Sequence, residues 1–336
     1  MKRSFRIDHA FLHLLLGRRW RDKVWASKAD VRSLHTQIIV SGTPFISDFD
    51  AVTRIKLNLD LPNFPFNPGL LKLSDGYLMT VRCRASNCFN DQTFIHNPDS
   101  PVDVNYLIYL NEQYQVTKTV VLDESILVRD ESSWTPPLED IRLFTWGDDV
   151  WAIGAIHDRG ARKIEQAICK IQGDAIVQYQ VLTSPVGLTI EKNWIPVPVN
   201  GKLKLIYSFD PFQVMSMDAP MGKLQASNIQ ADDSDHPFRG GTPLVSYGTG
   251  YIALVHSAPM EYRGARLYTH HFVLFNKDLQ LAEIGRPFFI EHHGVEFAAG
   301  IVVQQDGVLI SYAVGDRVTR LMQIPNVVIE KFLSVE

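Results

Sequence analysis

The feature that most constrains this chain is a degenerate repeat of five predicted β-hairpins. Each repeat has a polar or proline-containing start, an apolar strand, a turn and a second apolar strand. The turns lie at Asp75-Gly76, Gly147-Asp148, Asn200-Gly201, Gly248 and Asp306-Gly307. Asn-Gly and Asp-Gly pairs between apolar runs are the strongest short-range signal for a hairpin. The repeat therefore predicts an all-β chain built from hairpin units.

The spacing of these hairpins predicts a β-propeller. Consecutive turns are roughly 50 to 70 residues apart, near the length of a four-stranded blade with insertions. Further strand-like runs follow the hairpins at residues 106–110, 166–171, 272–275 and 322–329. Few segments after residue 30 have helical periodicity. We therefore expect a five-bladed β-propeller domain over residues 36–336, and a decorated β-sandwich is the alternative.

The N-terminal segment is predicted to be a helical extension over residues 1–35. Residues 1–23 carry seven Lys or Arg and two Asp, and the apolar run 10–16 contains His13. A signal peptide needs a cleaner apolar core, so residues 8–30 are interpreted as an amphipathic helix. We expect this helix to pack on the domain. The alternative is a helix that docks on a membrane surface, a partner or a second copy in a homo-oligomer.

Composition excludes several classes of function. The formal charge is -4 and the pI about 6.3, so the whole chain lacks the electrostatic footprint of a nucleic-acid-binding protein. Cys83, Cys88 and Cys169 suit neither a zinc site nor a disulfide framework, which predicts a reducing, cytoplasmic location. No stretch reaches the ~18 apolar residues expected of a membrane-spanning helix.

The residues that lead into the first strand of each repeat differ in charge, and we call them the leading residues. In a propeller these first strands surround the central channel, so their leading residues converge at one mouth. They are Asn67, Glu139-Asp140-Ile141-Arg142, Lys192-Asn193, Arg239 and Glu296. Hairpins do not require such charges, and burying charges is costly unless they are paired or bind a ligand. The pattern predicts a ligand site, and a solvated channel with structural ion pairs is the alternative.

At these positions the chain resembles glycoside hydrolase family 130, whose members are five-bladed propellers that include β-mannoside phosphorylases and hydrolases. Asn67-Pro68-Gly69 with Arg82 resembles the family's Asn-Pro segment and sugar-binding arginine. Glu139-Asp140-Ile141-Arg142 resembles its Glu-Asp-Pro-Arg motif, with Ile141 in place of proline. Lys192-Asn193-Trp194 resembles its Lys-Asn segment, whose lysine contacts phosphate, and the run from Tyr312 to Asp316 resembles its Tyr-Gly-Ala-Ala-Asp. The segments Gly240-Gly241 and His270-His271-Phe272 also resemble related mannosyltransferases.

The resemblance implies an inverting mechanism in which Asp140 is the general acid. If phosphate is the nucleophile, cations hold it, and the candidates are Arg159, Lys192 and Arg239. If water is the nucleophile, a second carboxylate must activate it, and the candidates are Glu296 and Asp316. No cofactor is implied, and inorganic phosphate or a sugar phosphate is the expected co-substrate.

The remaining candidates are substrate-binding residues, namely Asn67, Arg82, Arg142, Asn193, Trp194, His271 and Tyr312. Adjacent histidines on a strand point to opposite faces, so His270-His271 and His292-His293 do not predict a metal site. The expected function is a carbohydrate-active enzyme that cleaves or forms glycosidic, β-mannosidic bonds by phosphorolysis or transfer on an oligosaccharide or glycan substrate. A non-catalytic propeller that binds glycans or proteins is the alternative.

Overall fold

The structure, a computed structural model, describes most of the chain from residue 42 to residue 333. The described residues are 42–62, 64–84, 86–89, 93–96, 103–127, 138–158, 163–230, 238–262 and 265–333. The helical extension predicted over residues 1–35 and the candidate Arg159 lie outside them. None of the helices in the described part is both long enough and apolar enough to cross a membrane.

In the described part of the chain, five antiparallel sheets are the blades of a propeller, and a separate hairpin forms a further two-stranded sheet. Before the first blade lies β1 (Thr53–Lys56). Blade 1 begins with β2 (Phe64–Leu73) and β3 (Gly76–Arg84), a separate hairpin of β4 (Ser86–Phe89) and β5 (Thr93–His96) follows, and β6 (Val104–Leu110) and β7 (Val116–Val121) complete the blade. Blade 2 consists of β8 (Leu138–Trp146), β9 (Asp149–Asp158), β10 (Lys163–Gln172) and β11 (Ala175–Leu182).

Blades 3 to 5 follow in chain order. Blade 3 consists of β12 (Ile195–Val199), β13 (Lys202–Phe209) and β14 (Phe212–Met217). Blade 4 consists of β15 (Arg239–Gly240), β16 (Val245–Tyr247), β17 (Gly250–Tyr262), β18 (Ala265–Phe275) and β19 (Leu281–Ile284). Blade 5 consists of β20 (Glu296–Gln304), β21 (Gly307–Val314) and β22 (Val318–Pro325), and β1 is its outer strand.

Pairing between the start and the end of the described chain closes the ring. Strand β1 pairs antiparallel with β22, with Arg54 opposite Met322. A strand from before blade 1 therefore completes blade 5, which ties the two ends together by a sheet. The predicted all-β, five-bladed propeller is confirmed, and each of the five predicted turns joins two consecutive antiparallel strands.

One strand prediction was wrong at the end of the chain. The run 322–329 was expected to be a strand, but β22 ends at Pro325 and a helix, α1 (Asn326–Leu333), follows. In α1 the residues Val328, Ile329, Phe332 and Leu333 are buried. Their spacing of three and four residues places them on one helix face, which packs on the core between blades 4 and 5. The apolar run alone did not distinguish this helix from a strand.

Bulges at the start of the first strands orient the polar leading residues. The register of β2 shifts between Phe66 and Gly69, and the register of β8 shifts between Glu139 and Arg142. Within these bulges Asn67 has φ 47° and Asp140 has φ 54°. Asn and Asp tolerate this left-handed conformation better than other residues with a side chain. Blades 1 and 2 therefore present polar side chains at the same place in the repeat.

Candidate functional site

A cavity of about 260 Å³ lies where leading residues of blades 1 to 4 meet residues in and beside the first two strands of blade 5. Seven residues predicted from the sequence line it, namely Asn67, Arg82, Asp140, Lys192, Asn193, Arg239 and Asp316. The leading residue Glu139 also lines it, together with six residues that were not predicted, namely Phe66, His256, Arg266, Tyr268, Val295 and Phe297. The structure thus brings together residues that are far apart in the chain.

Asp140 is a partly exposed carboxylate in this cavity, with 18% of its side chain accessible. The side-chain amide of Asn67 donates a hydrogen bond of 2.7 Å to its Oδ1. The ammonium of Lys192 lies 4.0 Å from its Oδ2. One oxygen is therefore fixed by a neutral donor, while the other faces a cation and the cavity.

Glu139, the neighbour of Asp140, is a buried carboxylate that contacts three basic groups. Its Oε1 lies 2.9 Å from Arg82, and its Oε2 lies 3.0 Å from both Lys192 and His157. Burial alone would raise the pKa of Glu139, but the charge of Arg82, the His157 ring and the charge of Lys192 outweigh burial and lower it. Glu139 is therefore ionised at neutral pH and shares the charge of Lys192 with Asp140.

Arg82 is held at the base of the cavity by two acids. Its guanidinium donates to Asp103 at 2.8 Å and 2.6 Å and also pairs with Glu139. The guanidinium carbon lies 5.1 Å from the centre of the Phe66 ring, a cation–π geometry. Arg82 lines the cavity as predicted, but its charge is neutralised by carboxylates of the protein.

Two arginines of blade 4 form a cationic rim, which we define as Arg239 and Arg266. Both side chains are exposed and both line the cavity. Among the described side chains, no carboxylate forms an ion pair with either. Arg239 was a candidate from the sequence, whereas Arg266 was not among the predicted residues.

One wall of the cavity is aromatic. The His256 ring stacks on Tyr268 with ring centres 5.2 Å apart, and it meets the Phe297 ring edge-on, also at 5.2 Å. Burial, with smaller contributions from His270 and two arginines, lowers the pKa of His256 well below its ordinary value. His256 is therefore a neutral imidazole at physiological pH, and this wall carries no charge.

Arg142 lies beneath the cavity and is fully buried. It donates to Gly241 O at 2.6 Å, Gly240 O at 3.0 Å, Asp140 O at 2.9 Å and Asn193 Oδ1 at 2.6 Å. Burial lowers its pKa to about 10, so it remains charged at neutral pH. The structure does not bring Arg142 to the cavity surface where it was expected to bind substrate, because all of these bonds are internal.

Glu296 and Tyr312 are also away from the cavity lining. Glu296 is fully buried and accepts the backbone N–H groups of Ile290 at 2.8 Å and Glu291 at 2.9 Å. Burial raises its pKa to about 8, although these N–H groups act in the opposite direction. The Tyr312 hydroxyl donates to Glu291 Oε2 at 3.0 Å. Both side chains hold the segment that precedes β20.

Trp194 and His271 are held by internal partners as well. Trp194 is buried, and its indole N–H donates to Glu191 at 3.2 Å. His271 is buried with its Nδ1 2.9 Å from Gly285 O. The structure brings neither side chain to the cavity. Among the described residues there is no cluster of three or more His, Cys, Asp or Glu side chains arranged to hold a metal ion.

The sequence analysis did not single out six of the lining residues, namely Phe66, His256, Arg266, Tyr268, Val295 and Phe297. Three of these, His256, Arg266 and Tyr268, lie on β17 and β18, which follow the leading residue Arg239 in blade 4. Residue Arg239 lies opposite His256 in the register of β15 and β17. The signal that would have found His256 is this cross-strand pairing, since the residue opposite a leading residue lies at the same mouth.

Several solved structures share this fold. The β-1,2-mannobiose phosphorylase from Listeria innocua in complex with β-1,2-mannobiose is 13% identical with a TM-score of 0.56, over 86% of this chain and 95% of that chain. A mannose phosphorylase from Leishmania mexicana in complex with phosphate ion is 10% identical with a TM-score of 0.55, over 90% and 96%. A GDP-Man-dependent mannosyltransferase from Leishmania mexicana is 13% identical with a TM-score of 0.53, over 86% and 93%.

No protein-family model and no curated protein sequence matches the chain. The likeness to solved structures therefore stands on the arrangement of the strands and covers most of both chains in each comparison. The expected resemblance of fold is confirmed, and the chain shares its propeller architecture with mannoside-processing proteins.

Proposed function

We propose that this chain is a carbohydrate-active enzyme that forms or cleaves β-mannosidic bonds at the axial cavity, with Asp140 as general acid and an anionic co-substrate. The observation that carries the proposal is the position of Asp140. Asn67 holds this carboxylate at the mouth of a cavity whose rim carries two cations, Arg239 and Arg266.

The acid half of the mechanism needs a proton delivered to the oxygen of the leaving group. A positioned carboxylic acid performs this step in both hydrolysis and phosphorolysis of glycosides. Asp140 is suited to it because its Oδ1 is held by Asn67, while its Oδ2 stays on the cavity side near Lys192. Asn67 donates to either protonation state of Asp140, so it fixes geometry through the proton transfer.

The anion half of the mechanism needs cations and no protein base. Phosphate attacks the anomeric carbon directly, and arginine forks match its oxygens in pairs. Arg239 and Arg266 are suited to this role because their charges are not neutralised by described carboxylates. Lys192 contributes less charge than expected, because Glu139 lies 3.0 Å from its ammonium. We assign it to the boundary between the acid and the anion.

The sugar is assigned to the uncharged wall formed by His256, Tyr268 and Phe297. Aromatic rings and a neutral imidazole suit a sugar ring, which has apolar faces and hydroxyl groups. The mannoside class is supported by the solved structures of similar fold, since these are described as a mannobiose phosphorylase, a mannose phosphorylase and a mannosyltransferase.

The test is turnover with a panel of donors. The protein is incubated with mannose 1-phosphate or GDP-mannose and a set of mannoside acceptors, and release of phosphate or nucleotide is followed. Phosphorolysis of β-mannosides is measured in the reverse direction. Asp140→Asn is expected to lose turnover, while Asp75→Asn in an exposed turn retains it.

Two outcomes contradict an enzyme, and a third contradicts the anionic co-substrate. Absence of turnover with every donor and acceptor counts against an enzyme. Equal glycan binding by the wild type and Asp140→Asn, with no product from either, supports a non-catalytic binding module instead. If turnover occurs without phosphate and Asp316→Asn is as damaging as Asp140→Asn, water is the nucleophile and Asp316 is its base.

A further inference from the structure

Arg142 joins the innermost strands of four blades. It belongs to β8 of blade 2, and it donates to Asn193 before blade 3 and to Gly240 and Gly241 of blade 4. Its guanidinium carbon lies 5.4 Å from the centre of the Phe297 ring in blade 5. A single side chain therefore fixes the relative positions of these strands directly beneath the cavity.

The acceptors of Arg142 are unusual for a fully buried cation. Each is a carbonyl or amide oxygen, and no carboxylate pairs with this guanidinium in the described part of the chain. A buried charge without a counter-ion is costly, and stability alone would be served as well by an apolar core. We therefore look for the role of Arg142 in how its guanidinium orients the groups that accept its hydrogen bonds.

The effect of Arg142 on Asn193 follows from donor chemistry. A guanidinium has no acceptor, so the oxygen of the Asn193 amide must face Arg142, at 2.6 Å. The amide nitrogen is then the atom left on the other side, and Asn193 lines the cavity. We infer that Arg142 is a positioning residue that locks Asn193 with its N–H₂ group toward the cavity, where it binds an oxygen of the anionic co-substrate.

Three basic residues lie around Asn193, although Glu139 and Asp140 share the charge of Lys192. Lys192 precedes it in the chain, Arg239 precedes the Gly240 carbonyl that also binds Arg142, and the charge of Arg142 itself lies beneath it. Asn193 has φ 67°, so its backbone is held in the left-handed region. Arg142 also binds the carbonyl of Asp140, so the same guanidinium sets the backbone of the proposed acid.

The experiment is a double-mutant cycle on Arg142→Lys and Asn193→Gly. Glycine adopts the left-handed conformation without strain, so Asn193→Gly removes the side-chain amide and leaves the backbone conformation unchanged. The matched control is Asn228→Gly, since Asn228 is exposed and has φ 64°. Affinity for inorganic phosphate is measured by calorimetry at neutral pH for each variant.

If Arg142 acts through Asn193, each single variant binds phosphate about ten-fold more weakly, as for loss of one hydrogen bond to a charged group. The double variant is then within about two-fold of Asn193→Gly. The inference is overturned if the loss of phosphate affinity in the double variant equals the product of the two single losses. It is also overturned if Asn193→Gly binds phosphate as tightly as the wild type. Asn228→Gly is expected to bind phosphate like the wild type.

This inference rests on the proposed function for its ligand, and the two fail separately. If the wild type neither binds phosphate nor turns over glycosides, the proposed function fails. The same cycle measured by chemical unfolding then decides whether Arg142 and Asn193 are coupled, and additive effects overturn the positioning role.

A further variant serves if Arg142→Lys does not fold. Asn193→Asp keeps an oxygen for Arg142 but places an acceptor where the N–H₂ group was. We expect it to unfold at higher denaturant than Asn193→Gly and to bind phosphate at least about ten-fold more weakly than the wild type. Equal stability of the two variants, or phosphate affinity like that of the wild type, overturns the inference.

Discussion

The side-chain amide of Asn67 donates a 2.7 Å hydrogen bond to Oδ1 of Asp140, across the boundary between blades 1 and 2. Both residues occupy bulges at the start of a first strand, and both have positive φ. The contact therefore depends on the same local irregularity repeated in two blades. It links the orientation of the proposed acid to the packing of one blade on the next.

Asn67→Gly tests this link. Glycine retains the left-handed backbone, so the change removes the donor to Asp140 with little effect on folding. We expect kcat to fall about ten-fold, the effect of losing one hydrogen bond to a charged group, with a smaller change in KM. Asn200→Gly is the control, since Asn200 is exposed in a turn with φ 51°. Equal kcat in Asn67→Gly and the wild type would show that Asp140 needs no such support.

Asp140→Asn tests the assignment of the acid. A leaving group with a high pKa needs protonation as it departs, whereas an activated aryl group does not. We expect the variant to lose turnover of natural mannosides and to retain much more on activated aryl mannosides. Kinetics on a series of aryl leaving groups measures the difference. If Asp140→Asn lowers activity equally on good and poor leaving groups, Asp140 is not the acid.

The sequence was a good guide to the fold because the propeller repeats a simple local signal. Turn residues such as Asn200-Gly201 and Asp306-Gly307 specify the hairpins without any tertiary information. The helix α1 was missed because the predicted strand was continued past Pro325 and Asn326 into the β-branched residues 327–329. Its helical character depends on packing against the core, which a short apolar run does not reveal.

The site was predicted less completely, since the position of a residue at the start of a strand does not fix the direction of its side chain. The bulge at Glu139 and Asp140 turns Asp140 into the cavity, while Arg142, two residues later, points beneath it. Glu296 was expected by analogy with the other leading residues, but it is buried and accepts the backbone N–H groups of Ile290 and Glu291. Local irregularities of the sheet decide these directions, and the sequence shows them only where Asn or Asp suggests positive φ.

Glu139→Gln tests the buried ion-pair cluster. Removing the carboxylate leaves Arg82 with Asp103 alone and leaves Lys192 without its nearest partner. Loss of one partner from a buried pair costs about 3 kcal/mol, so the variant should unfold at lower urea concentration at pH 7. Glu165→Gln, a partly exposed carboxylate on β10, is the control.

The same cluster predicts a pH dependence of stability. The folded-state pKa of Glu139 is lowered, so its contribution is fully present above the unfolded value of 4.5 and is lost as pH falls toward the folded value. We expect the difference in unfolding free energy between the wild type and Glu139→Gln to shrink as the pH decreases below about 4.5. A difference that stays constant from pH 7 to pH 3 would contradict a lowered pKa.

The cationic rim predicts which substitutions affect the anion. Arg239→Ala and Arg266→Ala should each raise the KM for phosphate about ten-fold, since each removes a charged hydrogen-bond donor. Lys192→Ala should also weaken phosphate dependence, but Glu139 already shares its charge, so we expect a smaller effect. The control is Lys277→Ala in an exposed turn of blade 4. Unchanged KM values in both arginine variants would place the anion elsewhere.

Gly240→Ala tests the close approach of blades 3 and 4 beneath the cavity. A Cβ at Gly240 would lie 2.2 Å from the backbone oxygen of Asn193, which cannot move without disturbing the bond between Arg142 and Asn193. We expect destabilisation of about 1–3 kcal/mol, as for overpacking of a filled core, together with weaker phosphate binding. Gly42→Ala, with nothing within 4 Å of its added Cβ, is the control.

Chemical unfolding and calorimetry measure the two effects of Gly240→Ala. If Gly240→Ala is as stable as Gly42→Ala, blade 4 does not approach Asn193 as closely as described. If it is destabilised but binds phosphate like the wild type, the packing of these blades is independent of the anion site.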